Sequence, residues 1–144
     1  QQGHNAYKQN VGNTVIPKEQ LLLKLYDGSL KFLALAKRGM ETNSPKIKGE
    51  NITKVLNIIT ELDCALDMEK GGEMAENLSS LYSHIMYSLV QANLKNDIES
   101  VSNVEHLIRE IRDGFQEVMN QGAKAVCESP ELNEEYRGGM QVAI

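Results

Sequence analysis

The chain has 144 residues, enough for one domain with a real apolar core and too few to require a second. With 41% hydrophobic and 24% charged residues, three prolines, no Trp and a net charge of -5, it has the make-up of a soluble globular protein. Lys and Arg are scattered without a basic patch, which argues against a nucleic acid or an anionic membrane surface as partner.

Residues 1–16 are polar, with Gly3 and Gly12 among Asn and Gln, and read as an arm whose only sticky side chains are Tyr7, Val11, Val15 and Ile16. Pro17 predicts the first residue of a helix, where its missing N–H is no loss, although Ile16 before it is a poor cap. That helix, to about Met40 or Glu41, is unusually greasy. At ~100° per residue its strictly polar sector holds only Gln20, Lys24, Asp27, Lys31 and Arg38, and the remaining apolar arc spans roughly 260°. A helix facing one core needs little more than 100°. The surplus calls for a cover, whether a neighbouring helix, the arm, another copy or a partner protein. Gly28 inside this helix predicts close approach of another backbone, and Asp27 with Lys31 forms a favourable pair four apart.

Thr42-Asn43-Ser44-Pro45 ends the first helix, with Ser44 as N-cap and Pro45 as the first residue of a second helix. Ile52, Val55, Leu56, Ile59, Leu62 and Leu66 give that helix one core stripe. Residues 67–72, Asp-Met-Glu-Lys-Gly-Gly, read as a turn. A third helix from about Glu73 to Leu94 carries Leu78, Leu81, Tyr82, Ile85, Leu89 and Ala92 on one face and Asn77, Ser80, His84, Gln91 and Lys95 on the other. Asn96-Asp97 reverses the chain, Asn in the left-handed conformation and Asp as the cap of a fourth helix. This last helix runs from 98 to about 119 with a stripe from Val101 to Met119 within roughly 120°, and Gly122 ends it.

These elements predict an all-α, antiparallel up-down-up-down four-helix bundle over residues 17–120, preceded by the arm at 1–16 and followed by an acidic, partly helical tail at 121–144. Catalytic machinery, cofactor and metal are not expected. Di-metal bundles use Glu-x-x-His pairs, but Leu81 and Asn103 stand three before His84 and His106; Gly71-Gly72 lacks the Lys-Ser/Thr of a phosphate loop. Cys64 and Cys127 match no metal or redox spacing and read as free thiols. No secretory signal or membrane span is recognised, so the expected location is the cytoplasm.

Five segments stand in order along the chain: Tyr7-Lys8-Gln9-Asn10 followed by Asn13-Thr14 and Pro17; Leu25-Tyr26-Asp27-Gly28 with Leu30-Lys31-Phe32; Leu66 to Gly72; Ala92 to Asp97; and Arg112-Asp113. In their order and spacing they resemble the flagellin-specific export chaperones. Ile16 departs from the Ser or Thr often found before the Pro, and the tail after residue 120 lies outside the likeness. The resemblance implies a helical bundle that holds the C-terminal segment of flagellin in the cytoplasm, prevents premature polymerisation and delivers it to a component of the export gate. It implies a role in client binding for the arm through Tyr7 and Asn10, where docking of Tyr7 on an apolar groove would contribute about 1.5–3 kcal/mol before the arm is ordered. Together with the greasy first helix, the expected contact residues are Tyr7, Asn10, Leu22, Leu23, Tyr26, Asp27, Gly28, Leu30 and Leu33, on a chain that is a monomer or weak dimer when free. Two rival readings stay open: a bundle whose apolar arc is an oligomer interface, and a histidine phosphotransfer module using His84.

Overall fold

The structure is a computed structural model, and it describes residues 16–128, with side chains through Gln121. Four helices follow one another: α1 (Lys18–Glu41), α2 (Pro45–Cys64), α3 (Met68–Lys95) and α4 (Ile98–Glu128). Each packs against its neighbours in sequence, and α4 closes the square on α1. Short turns force successive helices antiparallel, as expected for an up-down-up-down bundle.

The turns follow from local chemistry. Ser44 Oγ accepts a hydrogen bond from the Ile47 N–H at 3.3 Å, Pro45 occupies the first turn, and the chain reaches that cap through Asn43 in the left-handed region at φ 54°. Replacing Ser44 by Ala should cost about 1 kcal/mol, read as a lower denaturation midpoint at unchanged slope. Asp67 caps α3 through the Lys70 N–H. Asn96 ends α3 at φ 55°, ψ 45°, and Asp97 then accepts from the Ser100 N–H and hydroxyl. Those bonds, the hydroxyl's first, hold the Asp97 carboxyl below its ordinary range.

Three boundaries differ from the sequence expectation. Helical structure in α3 begins at Met68 rather than Glu73, with the break concentrated at Gly72, whose φ of 53° and ψ of -132° suit only glycine. Pro17 stands just outside α1, at ψ 145°, and Lys18 is the first helical residue. Gly122 does not stop α4. A single glycine costs about 1 kcal/mol, and Ala123, Lys124 and Ala125 carry the helix on to Glu128, so the bundle's last helix enters the segment assigned to the tail.

The core is one apolar cluster. Leu33, Ala36, Val55, Ile59, Ile85, Leu89, Val101 and Ile108 are wholly buried, and Leu25, Leu30, Phe32, Leu56, Ile58 and Phe115 pack against its margin. Burial of each large side chain stabilises the bundle by about 1.5–3 kcal/mol.

Candidate partner-binding surface

The rotation of α1 about its axis decides what it shows to solvent. Leu22, Tyr26, Ser29, Leu33, Ala36 and Met40 are all buried, and they recur with the alternating four-and-three spacing of a heptad seam. Tyr26 fixes this seam. Its hydroxyl lies 2.6 Å from that of Tyr82 on the diagonally opposite α3, and its ring stacks on Phe115 of α4 with centroids 5.8 Å apart. Ser29 donates its hydroxyl to the Leu25 carbonyl, which lets a polar residue sit at 0% exposure. Both phenols are pushed above their ordinary value near 10: Tyr26 first by burial and then by its neighbour Tyr82, Tyr82 first by burial, with Asp63 adding to it.

One residue earlier at every step runs a second seam: Leu21, Leu25, Gly28, Phe32, Leu35 and Gly39. It turns toward α2, because at Gly39 an added Cβ would stand 2.5 Å from the Lys48 backbone nitrogen and Lys54 of α2 lies over the Phe32 ring. Among the described residues the seam is closed at Gly39, half-covered in its middle and exposed at Leu21 and Leu35. Leu35 is 39% and Leu21 48% exposed, while Leu25, Gly28 and Phe32 are half-buried. Across it, Ile47 is 43% exposed and Ile58 half-buried. Lys24, Lys31 and Arg38, all exposed and seven apart, line its outer rim.

The opposite flank of α1 belongs to α4. Leu23 is buried, Leu30 is half-buried, Lys37 pairs with Glu105 at 2.5 Å, and Asp27 pairs with Arg112 rather than with Lys31. The structure therefore distributes the sequence-predicted contact residues unevenly. Leu22, Leu23, Tyr26 and Leu33 lie inside the bundle, where a partner reaches them only by parting helices. Asp27 is engaged, Leu30 is half-covered, and Gly28 alone of this set lies on the open seam. Within the bundle no neighbouring backbone approaches Gly28, where a Cβ would meet nothing within 4 Å, and the tight approach between helices is at Gly39. Tyr7 and Asn10 are outside the described residues.

A second apolar patch was missed in the sequence. Tyr87, Val90 and Leu94 are 66%, 44% and 76% exposed on the face of α3 turned away from Tyr82 and Leu89. Their three-and-four spacing was the available signal, hidden by the polar residues interleaved with them. His84 is exposed in the middle of α3, His106 faces Glu110 on its own helix at 3.4 Å, and Cys64 is an exposed free thiol. Among the described residues no group of three or more His, Cys, Asp or Glu side chains could hold a metal ion, and no helix is long and apolar enough to cross a membrane.

The class that the fold defines is an all-α four-helix bundle, here with an apolar seam on α1 beside a row of cations. Comparison with known families identifies which one. The model of the family described as "Flagellar protein FliS" matches residues 1–122, and the chain belongs to this family. It is 36% identical to the "Flagellar secretion chaperone FliS" of Bacillus subtilis over 86% of this chain and 91% of that protein. It is 40% identical to the Escherichia coli protein of the same description, over 80% and 88%, and 40% identical to that of Salmonella typhimurium, over 69% and 74%. The family and the all-α bundle expected from the sequence motifs are both shown.

Proposed function

We propose that this flagellar export chaperone binds the C-terminal segment of flagellin along the seam between α1 and α2, keeps it from polymerising in the cytoplasm and hands it to the export gate. The observation that carries the proposal is the second heptad seam of α1. A helix needs one such row to join its own bundle, and α1 displays two, side by side. An amphipathic segment that packs against other subunits in a filament needs an apolar groove when it is held apart from them, and helix-in-groove recognition reads anchors at this same spacing. Tyr7 and Asn10 of the arm join the contact on this reading. The chaperone acts by binding and not by catalysis, and is a monomer or weak dimer when free. Because a wrapping, disordered client pays an ordering cost at binding, the complex stays releasable.

Titration calorimetry with a peptide spanning the flagellin C-terminal segment tests the site. Leu21→Asp combined with Leu35→Asp places two carboxylates on the open seam without touching the core, and should weaken binding at least about tenfold with an unchanged melting temperature. Leu94→Asp, on the far patch, should leave affinity unaltered. Full affinity in the double variant would remove the seam from the mechanism.

A further inference from the structure

We infer that the cations beside the seam select the client: the helix of the flagellin segment that lies there carries carboxylates about seven residues apart on the flank turned to α1, and Lys24, Lys31 and Arg38 set its direction and register by pairing with them. The inference rests on the seam being the client site proposed above and adds what that site selects.

Spacing and the lack of partners support it. Lys24, Lys31 and Arg38 are exposed and stand seven apart, so they form a row with steps of about 10.5 Å along α1. The seam beside them repeats with the same period, and a helix packed along it presents its own flank at that interval, so one row of carboxylates meets all three cations. Among the described residues none of the three forms an ion pair, although the protein is acidic overall, with 20 Asp and Glu against 15 Lys and Arg. The opposite flank of α1 shows the contrast, because there Lys37 pairs with Glu105 and Asp27 with Arg112, both partners on α4. Asp27 stands four residues before Lys31, where a carboxylate would serve that lysine, and the fold draws it away.

The two banks of the seam also differ in sign. On α2, Glu50 and Glu61 are exposed four residues before and seven after Lys54, on the same face of the helix, and Lys54 itself lies over the Phe32 ring with Nζ 5.1 Å from the centroid. A helix laid between a cationic bank and one edged with carboxylates has one favoured direction, because turning it end for end exchanges its flanks. Exposed charge pairs contribute a factor of about 1.5–5 each, so the apolar anchors hold the client and the charges choose among clients.

Charge reversal of the row in the full chain tests this. Lys24→Glu, Lys31→Glu and Arg38→Glu together should weaken the flagellin peptide at least about tenfold at about 50 mM salt, with a deficit several times smaller at about 300 mM, where screening is stronger. Gln at the three positions, which adds no new charge, should cost at least about threefold. Glu in place of Lys70, Lys95 and Arg109, exposed on other faces, makes the same change in net charge and should cost less than about twofold. Each Asp and Glu of the peptide is then changed to Lys in turn. Double-mutant cycles should couple carboxylates about seven residues apart to Lys24, Lys31 and Arg38 in one order along the peptide, and the Lys peptides should bind the reversed chaperone more tightly than the unaltered peptide does. Unchanged or tighter binding by the reversed row, an equal loss in the control variant, coupling without that spacing and order, or a flagellin segment with no carboxylates so spaced would each overturn the inference. Binding still lost in Leu21→Asp with Leu35→Asp would then keep the seam as the client site and remove only its charge selection, whereas full affinity in both the row and the seam variants would refute the client site itself.

Discussion

Gly39→Val should destabilise the bundle by about 3 kcal/mol, the upper end of what overpacking costs, because the obstruction is main chain and not a movable side chain. A Cβ at this position would stand 2.5 Å from the Lys48 nitrogen, 3.0 Å from its Cα and 3.1 Å from the Ile47 carbonyl carbon. Those atoms are held by the corner itself. The Ser44 N–H donates to the Gly39 carbonyl at 2.8 Å, the Thr42 N–H to the Arg38 carbonyl at 3.0 Å, and Ser44 caps α2 one turn before Lys48. Relief would require opening the α1–α2 corner, which also aligns the seam. The loss is a large share of the ~5–15 kcal/mol that holds a typical domain together. Gly28→Ala is the contrasting case on the same helix. Nothing lies within 4 Å of its new methyl, so helix propensity alone should stabilise the fold by up to about 1 kcal/mol. Denaturant midpoints for the two variants moving in the same direction would contradict this account of the seam.

Alkaline pH should unfold the protein through Tyr26 and Tyr82. Each phenol is held above its ordinary value near 10 in the folded chain, chiefly because burial removes the solvation its phenolate would need. A group whose folded pKa is raised contributes stability that is complete below the unfolded value and disappears as pH rises beyond it. Above about pH 10 the unfolded chain releases protons that the native one keeps, at about 1.4 kcal/mol per pH unit for each tyrosine. At neutral pH the pair acts differently. Tyr82→Phe leaves the Tyr26 hydroxyl buried without its partner at 2.6 Å, a cost of about 1–3 kcal/mol. Replacing both by Phe should recover most of that and flatten the alkaline loss. Urea titrations between pH 7 and 11 decide it; an unchanged alkaline slope in the double variant would refute the pair's role.

Much of the fold was legible because it depends on short-range chemistry. Pro45 after Ser44, Asn96 before Asp97 and the stripes of α2 and α4 each name a local conformation that no distant contact overrides. Gly122 misled because a glycine's helix cost is small beside the propensity of the residues after it. The excess apolar surface of α1 was also legible, and its division was not. Leu21 and Leu22 have the same chemistry and adjacent places in the chain, yet one is 48% exposed and the other 6%.

Four helices, their order and antiparallel sense, and a first helix with more apolar surface than one core can cover are all written in the amino acids alone, because periodicity, caps and turns act within a few residues. Which of α1's two parallel seams became core and which stayed open is a matter of three-dimensional packing. That choice is a rotation of α1 about its own axis, and it is set by contacts with other helices: Tyr26 meeting the remote Tyr82 and Phe115 on one side, Gly39 closing on Lys48 on the other.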